Sequence, residues 1–207
     1  MNAAVIKPVA DIDVLGGHPA LDFVNTVHSR FIEGDCDYLR SYADVVAWHE
    51  RLGLVSAATG RQLLATIRAR PELAAEVLQF TREVRELLYR IFITVIKREP
   101  QSQEDLDELN QILTGLRCCQ QLVVAGKGMC FQWHIDPTRP KTILGPVVES
   151  AVEMLTSNRL DRVKECPAPD GCGWLFLDTS RNGSRCWCSM KFCGNLAKVR
   201  RHRKKTN

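Results

Sequence analysis

Apolar residues recur at helical spacing through most of the first 115 positions. The clearest stripe is Leu73, Val77, Phe80, Val84, Leu87, Leu88, Ile91 and Val95; it follows Pro71 and predicts one long helix to about Arg98. Pro19 suits a first helical position, and a helix from there through ALDFVNTVHSR places Leu21, Val24 and His28 inward. Tyr42, Val45, Val46 and His49, closed by Gly53, predict a second helix over 41–51, and a third runs over 56–69. Ser102, followed by Glu104 and Asp105, opens a further helix that carries Leu106, Leu109, Ile112 and Leu113 to Gly115. The period then changes. CQQLVVAGKGMCFQWHI reads as two short strands joined across Gly126-Lys127-Gly128, a β-hairpin. Helical spacing returns over 143–154, and the polar stretch 158–161 links this body to a different kind of sequence.

From residue 160 onward the pattern is short and irregular. Trp174 to Leu177 is strand-like, DTSRNG contains an Asn-Gly turn signal, and Arg185-Cys186-Trp187 leads back, so a second hairpin is expected there. Ser189 can cap a last helix. On a projection of residues 190–205, Phe192, Leu196 and Val199 share one side, expected to pack on the hairpin that carries Trp174 and Phe176. Lys191, Lys198, Arg201, His202 and Lys205 gather opposite, widened by Arg200, Arg203 and Lys204. The expected architecture is α+β: a mostly helical domain over 1–159 with a small hairpin, and an appended module over 160–207.

Charge sharpens that division. The net charge is +4, but residues 160–207 hold eleven Lys and Arg against four Asp and Glu, while the preceding residues are slightly acidic. An anionic partner is therefore expected only at the C-terminal end. The longest greasy run, IFITVI at 91–96, falls far short of the roughly 20 residues needed to span a bilayer. The first seventeen residues lack the charged and apolar blocks of a secretory signal, so a cytoplasmic protein is expected.

Nine cysteines, an odd number in a reducing compartment, argue against a disulfide framework. Five of them fall between Cys166 and Cys193. Cys166, Cys172, Cys188 and Cys193 form two spaced pairs, which suits a tetrahedral d10 ion with four thiolates, hence one structural zinc. A module with so small a core needs such a fastener. Cys186 is read as a spectator; two residues before Cys188 in an extended segment, it faces the same way, which leaves a substitute-ligand role as the alternative. Buried thiols used as packing, or a redox centre, are the competing explanations; no CxxC in a thioredoxin-like setting supports the latter.

RVKECPAPDGCGWLFLDTSRNGSRCWCSMKFCGNLAKVRRHR resembles the CGNR zinc finger, a treble-clef-like module at the C-terminus of bacterial transcription regulators. GGHPALDFVNTV is similar to the opening of the ABATE domain that precedes it in that family. The resemblance implies zinc on Cys166, Cys172, Cys188 and Cys193, and a DNA-binding regulator sometimes described as stress-induced. Where the family motif reads Cys-Gly-Asn-Arg, this chain has Leu196, and Cys186 stands where a basic residue is more usual.

A helix fits the major groove, and cations on phosphates make affinity salt-dependent. The expected nucleic-acid contacts are Lys191, Lys198, Arg200, Arg201, His202, Arg203, Lys204 and Lys205, with Arg181 and Arg185 adding backbone contacts from the hairpin. An RNA-binding or protein-docking zinc adaptor is the first alternative. In the N-terminal domain His18, Asp22 and Asn25, at i, i+4 and i+7, share a helical face on which a small-molecule effector or ion could sit, or which is simply polar. An enzyme acting there is the second alternative, although no serine elbow, HExxH helix, phosphate loop or dinucleotide fingerprint occurs.

Overall fold

The computed structural model describes residues 7–32, 36–167 and 172–206, and no side chain beyond Arg203. The expectations for the first six residues, for the tip of the loop between Cys166 and Cys172, and for the Lys204 and Lys205 side chains lie outside the described residues.

Six helices build the body: α1 (Pro19–Val24), α2 (Tyr42–Arg51), α3 (Ala57–Arg68), α4 (Pro71–Lys97), α5 (Gln103–Arg117) and α6 (Gly145–Thr156). Their starts follow local chemistry. Ser41 and Asp44 form a reciprocal capping box on α2, and Ser56 and Ser102 cap α3 and α5. Helix α4 ends at Arg98 in the left-handed conformation, φ 58°. Its apolar stripe forms the centre of the core, with Val77, Val84, Leu87, Leu88 and Ile91 all buried. Among the described residues, no helix is long and apolar enough to cross a membrane.

The expected hairpin is present: β1 (Gln120–Ala125) pairs antiparallel with β2 (Gly128–Trp133), closed by Gly126 and Lys127. It is tethered at its open end, where Trp133 Nε1 donates to Glu149 on α6 at 2.5 Å and Gln120 Nε2 donates to the same carboxylate at 2.6 Å.

Two expectations change. Helix α1 stops at Val24 rather than running on to Arg30, and His28 is exposed rather than inward. The strand β4 (Leu175–Leu177) does not pair with residues 185–187 across the Asn-Gly turn. It pairs antiparallel with β3 (Val163–Glu165), so the loop carrying Cys166 and Cys172 joins the two paired strands. Trp174, Leu175, Phe176, Leu177, Cys166, Cys188 and Cys193 belong to the same hydrophobic cluster as α1, α4 and α6. One core therefore runs across position 160.

Candidate metal centre and nucleic-acid interface

Four sulfurs converge at the end of the β3–β4 pair. Cys166 and Cys172 flank the loop between these strands, and the ladder extends past them, Cys166 N donating to Trp174 O at 2.9 Å. Gly173 turns this loop with φ +62°, and a Cβ there would lie 2.5 Å from Arg30 Cβ, so only glycine lets it approach the body. Arg30 N then donates to Cys172 O, and Trp174 Nε1 to Val27 O at 2.7 Å, fastening the loop to the residues after α1.

Cys188 and Cys193 arrive from the other side. Ser189 caps a π-helical turn, Met190–Gly194, by accepting from Phe192 N, and helix α7 (Asn195–Thr206) continues from it. Cys193 lies in that turn, the kind of local helical widening often found at functional positions. Gly194 has no room for a side chain: a Cβ would meet Met190 Sδ at 2.7 Å and Trp187 Cδ1 at 3.2 Å. Asn195 Nδ2 donates back to Lys191 O at 3.0 Å, holding the turn. The Cys-Gly-Asn run thus supplies a ligand, a close approach and a brace.

All four Sγ atoms lie within 4.8 Å of one another, with Cys172 to Cys188 and Cys188 to Cys193 both 3.5 Å apart. Four thiolates at about 2.3 Å from one ion would stand about 3.8 Å apart in a tetrahedron, close to these separations. Without a cation the cluster resists ionisation. The Cys172 and Cys188 thiols are pushed up, first through their hydrogen bonds with Cys166, and the Cys193 thiol is pushed up first by burial. A divalent ion reverses that balance by drawing off the protons. The donor set fits one structural zinc, and four protein thiolates leave no open position on it. Cys186 is exposed and its Sγ turns to Ser184 O, so it is a bystander rather than a substitute ligand.

The segment between the two ligand pairs is ordered by a partly buried ion pair that the sequence does not announce. Asp178, fully buried, accepts from Lys164 Nζ at 2.7 Å, from Ser180 and from Arg185 N. Burial alone would raise its pKa, but Lys164 and Ser180 hold the carboxyl below the usual range. The only advance signal was the Asp-Thr-Ser turn sequence.

Arg185, expected to reach the nucleic-acid backbone, is turned to the protein instead. Its guanidinium donates to Leu177 O, Leu15 O, Trp187 O and Cys188 O and lies 4.4 Å over the Phe176 ring. These four carbonyls, only one of them on a strand, hold the side chain inward. Arg181, by contrast, is exposed.

Helix α7 continues from the turn with most of its described side chains exposed. Lys191, Lys198, Arg200, Arg201, His202 and Arg203 are all exposed, and no acidic residue follows Asp178 in the chain. Arg200 and His202 each have an interaction partner. The expected burial of its aliphatic side on the β4 strand is not seen, and the Arg185 guanidinium lies over the Phe176 ring there. Met190, Phe192, Leu196 and Val199 stay 43–52% exposed.

His18, Asp22 and Asn25 are engaged inside the protein. Asn25 turns its amide onto β4 as if it were a neighbouring strand: Nδ2 donates to Leu175 O and Oδ1 accepts from Leu175 N, both at 2.8 Å. Asp22 Oδ1 accepts from Gly16 N at 2.7 Å, and Gly16 O in turn accepts from Leu177 N at 2.8 Å. His18 Nδ1 contacts Ser150 Oγ on α6 at 3.3 Å. All three are interior fasteners, and Asn25 explains why α1 ends where it does.

A search of curated proteins gives no match for this chain. Residues 162–206 match the CGNR zinc finger model, and residues 17–158 match the ABATE model, described as "Putative stress-induced transcription regulator". With more than half its length under that second match and the four-cysteine centre in place behind it, the chain belongs to the ABATE family and carries a CGNR zinc finger.

Proposed function

We propose that this protein is a cytoplasmic regulator of transcription that binds DNA through α7 and its flank, with zinc serving as a clamp rather than a reactant. One observation carries the reading: a helix without acidic residues continues from a zinc-fixed turn, its described cations exposed. Rigid presentation of a basic helix suits the major groove, and Arg181 lies on the neighbouring loop to reach the backbone. The family description supports regulation, and the saturated metal shell supports a non-enzymatic role for the finger. The N-terminal domain is read as the regulatory part.

A second reading is favoured by the exposed side of α7. Met190, Phe192, Leu196 and Val199 form an apolar strip that a protein partner could cover, which makes the finger an adaptor. Fluorescence anisotropy on the zinc-loaded chain separates the two, with duplex DNA, structured RNA and heparin as competitors at about 50 and 200 mM salt. The DNA reading expects duplex DNA to compete best, and the triple variant Lys198→Ala, Arg201→Ala, Lys205→Ala to lower the salt slope by about three. Preferential displacement by RNA, equal displacement by heparin, or an unchanged slope in the variant defeats it.

A further inference from the structure

Between α4, α5 and the loop that follows β2 lies an open cleft of about 530 Å3, lined by none of the metal-ligand or nucleic-acid residues named above. That volume lies in the range of small-molecule sites. Leu73 and Phe80 of α4 and Ile112 and Leu116 of α5 give it apolar walls. One end is charged. Lys141 Nζ stands 4.7 Å above the Phe80 ring and 2.7 Å from Glu76 Oε1. Arg139 aims both terminal nitrogens at Cys118 Sγ, 3.6 Å away, and the Asp136 carboxylate, which does not line the cleft, also acts on it. The lining thus holds two cations, Arg139 and Lys141, against one anion, Glu76, beside an apolar floor.

Gly115 adds a second, independent mark. It lies inside α5 and lines the cleft, where a Cβ would meet nothing within 4 Å, and its backbone has no need of glycine. Glycine within a helix is unfavourable relative to alanine, and here it leaves the α5 side of the cleft without a side chain.

We propose that this cleft binds a monoanionic, amphipathic organic acid. Its carboxylate is held by the Arg139 fork and its apolar body lies against Phe80, Ile112 and Leu116. A second negative charge on the ligand would face Glu76, so dianions are excluded. The site does not rest on DNA binding, and its test contains no nucleic acid, so either reading can fail without the other.

The test titrates the zinc-loaded full chain with 4-phenylbutyrate and with decanoate, followed by calorimetry and amide-resolved NMR. 4-Phenylbutanol and glutarate serve as the uncharged and doubly charged counterparts. The inference expects at least one monoacid to bind with shifts centred on α4, α5 and 138–142, and both counterparts to bind at least tenfold more weakly. Arg139→Ala, an exposed position, should weaken the monoacid tenfold or more. Gly115→Leu should abolish binding while leaving amide resonances elsewhere in place. No binding of either monoacid, equal binding of the alcohol, or affinity unchanged in both variants overturns the inference.

Discussion

Asn25 shows how one side chain can stand in for a strand. Its amide satisfies both the N–H and the C=O of Leu175 on the open edge of β4, deep inside the protein. Truncation would leave two buried backbone groups without partners. Asn25→Ala is therefore expected to destabilise the zinc-loaded protein by about 2–4 kcal/mol, read from denaturant unfolding. Asp22 gives a pH signature. Burial pushes its carboxyl up from 3.8 to about 6, against the hydrogen bond from Gly16 N. The folded state then binds more protons than the unfolded state between those values, so this group's contribution is full below about pH 4 and is lost as pH rises through 6. Asp22→Asn keeps the acceptor for Gly16 and removes the charge. It should be more stable than the parent by up to about 3 kcal/mol at pH 7.5, a gain that shrinks toward pH 5 in paired unfolding curves. The sequence expects His18, Asp22 and Asn25 on one helical face, but α1 spans only Pro19–Val24, His18 and Asn25 flank it, and periodicity cannot say what each one meets. The partner of Asn25 lies 150 residues away.

At the scale of elements, patterning succeeds where a segment is long and amphipathic. Helix α4 and the β1–β2 hairpin fall where expected because each repeats its period several times. Strands β3 and β4 are three residues each, too short to alternate, and their pairing is decided by tertiary groups: Asp178 with Lys164, and Arg185 across the carbonyls of 177 and 188. An arginine in a basic tract reads as a phosphate contact from sequence alone. Its true environment predicts a different phenotype. Arg185→Ala should cost roughly 2–3 kcal/mol of stability through lost charge-assisted bonds and ring stacking, and should leave the salt slope of DNA binding unchanged. Lys198→Ala should do the reverse, altering the slope by about one with little effect on unfolding.

For the molecule as a whole, the cysteine spacing was the most legible feature, because a metal shell constrains residue type and number so tightly. All four ligands were readable, and the idle Cys186 was separable only once its side chain was seen turned to Ser184. One zinc per chain is expected by atomic absorption, retained in Cys186→Ser and lost in Cys188→Ser. Structural zinc is worth about 10–16 kcal/mol of apparent binding energy, so a chelator should release the finger. Hydrogen exchange should then rise in α1 as well as in residues 163–194, since both contribute to one core.

The borrowed hydrogen bonds across residues 15–30 also bear on how such fingers can be inherited. Leu15 O, Gly16 O, Asn25 and Val27 O all belong to the upstream segment, yet they complete the strand edge, the arginine and the tryptophan of the finger. A graft cut at position 160 would leave those partners behind, so the stretch around GGHPALDFVNTV and the distal cysteines must travel together as one hereditary unit.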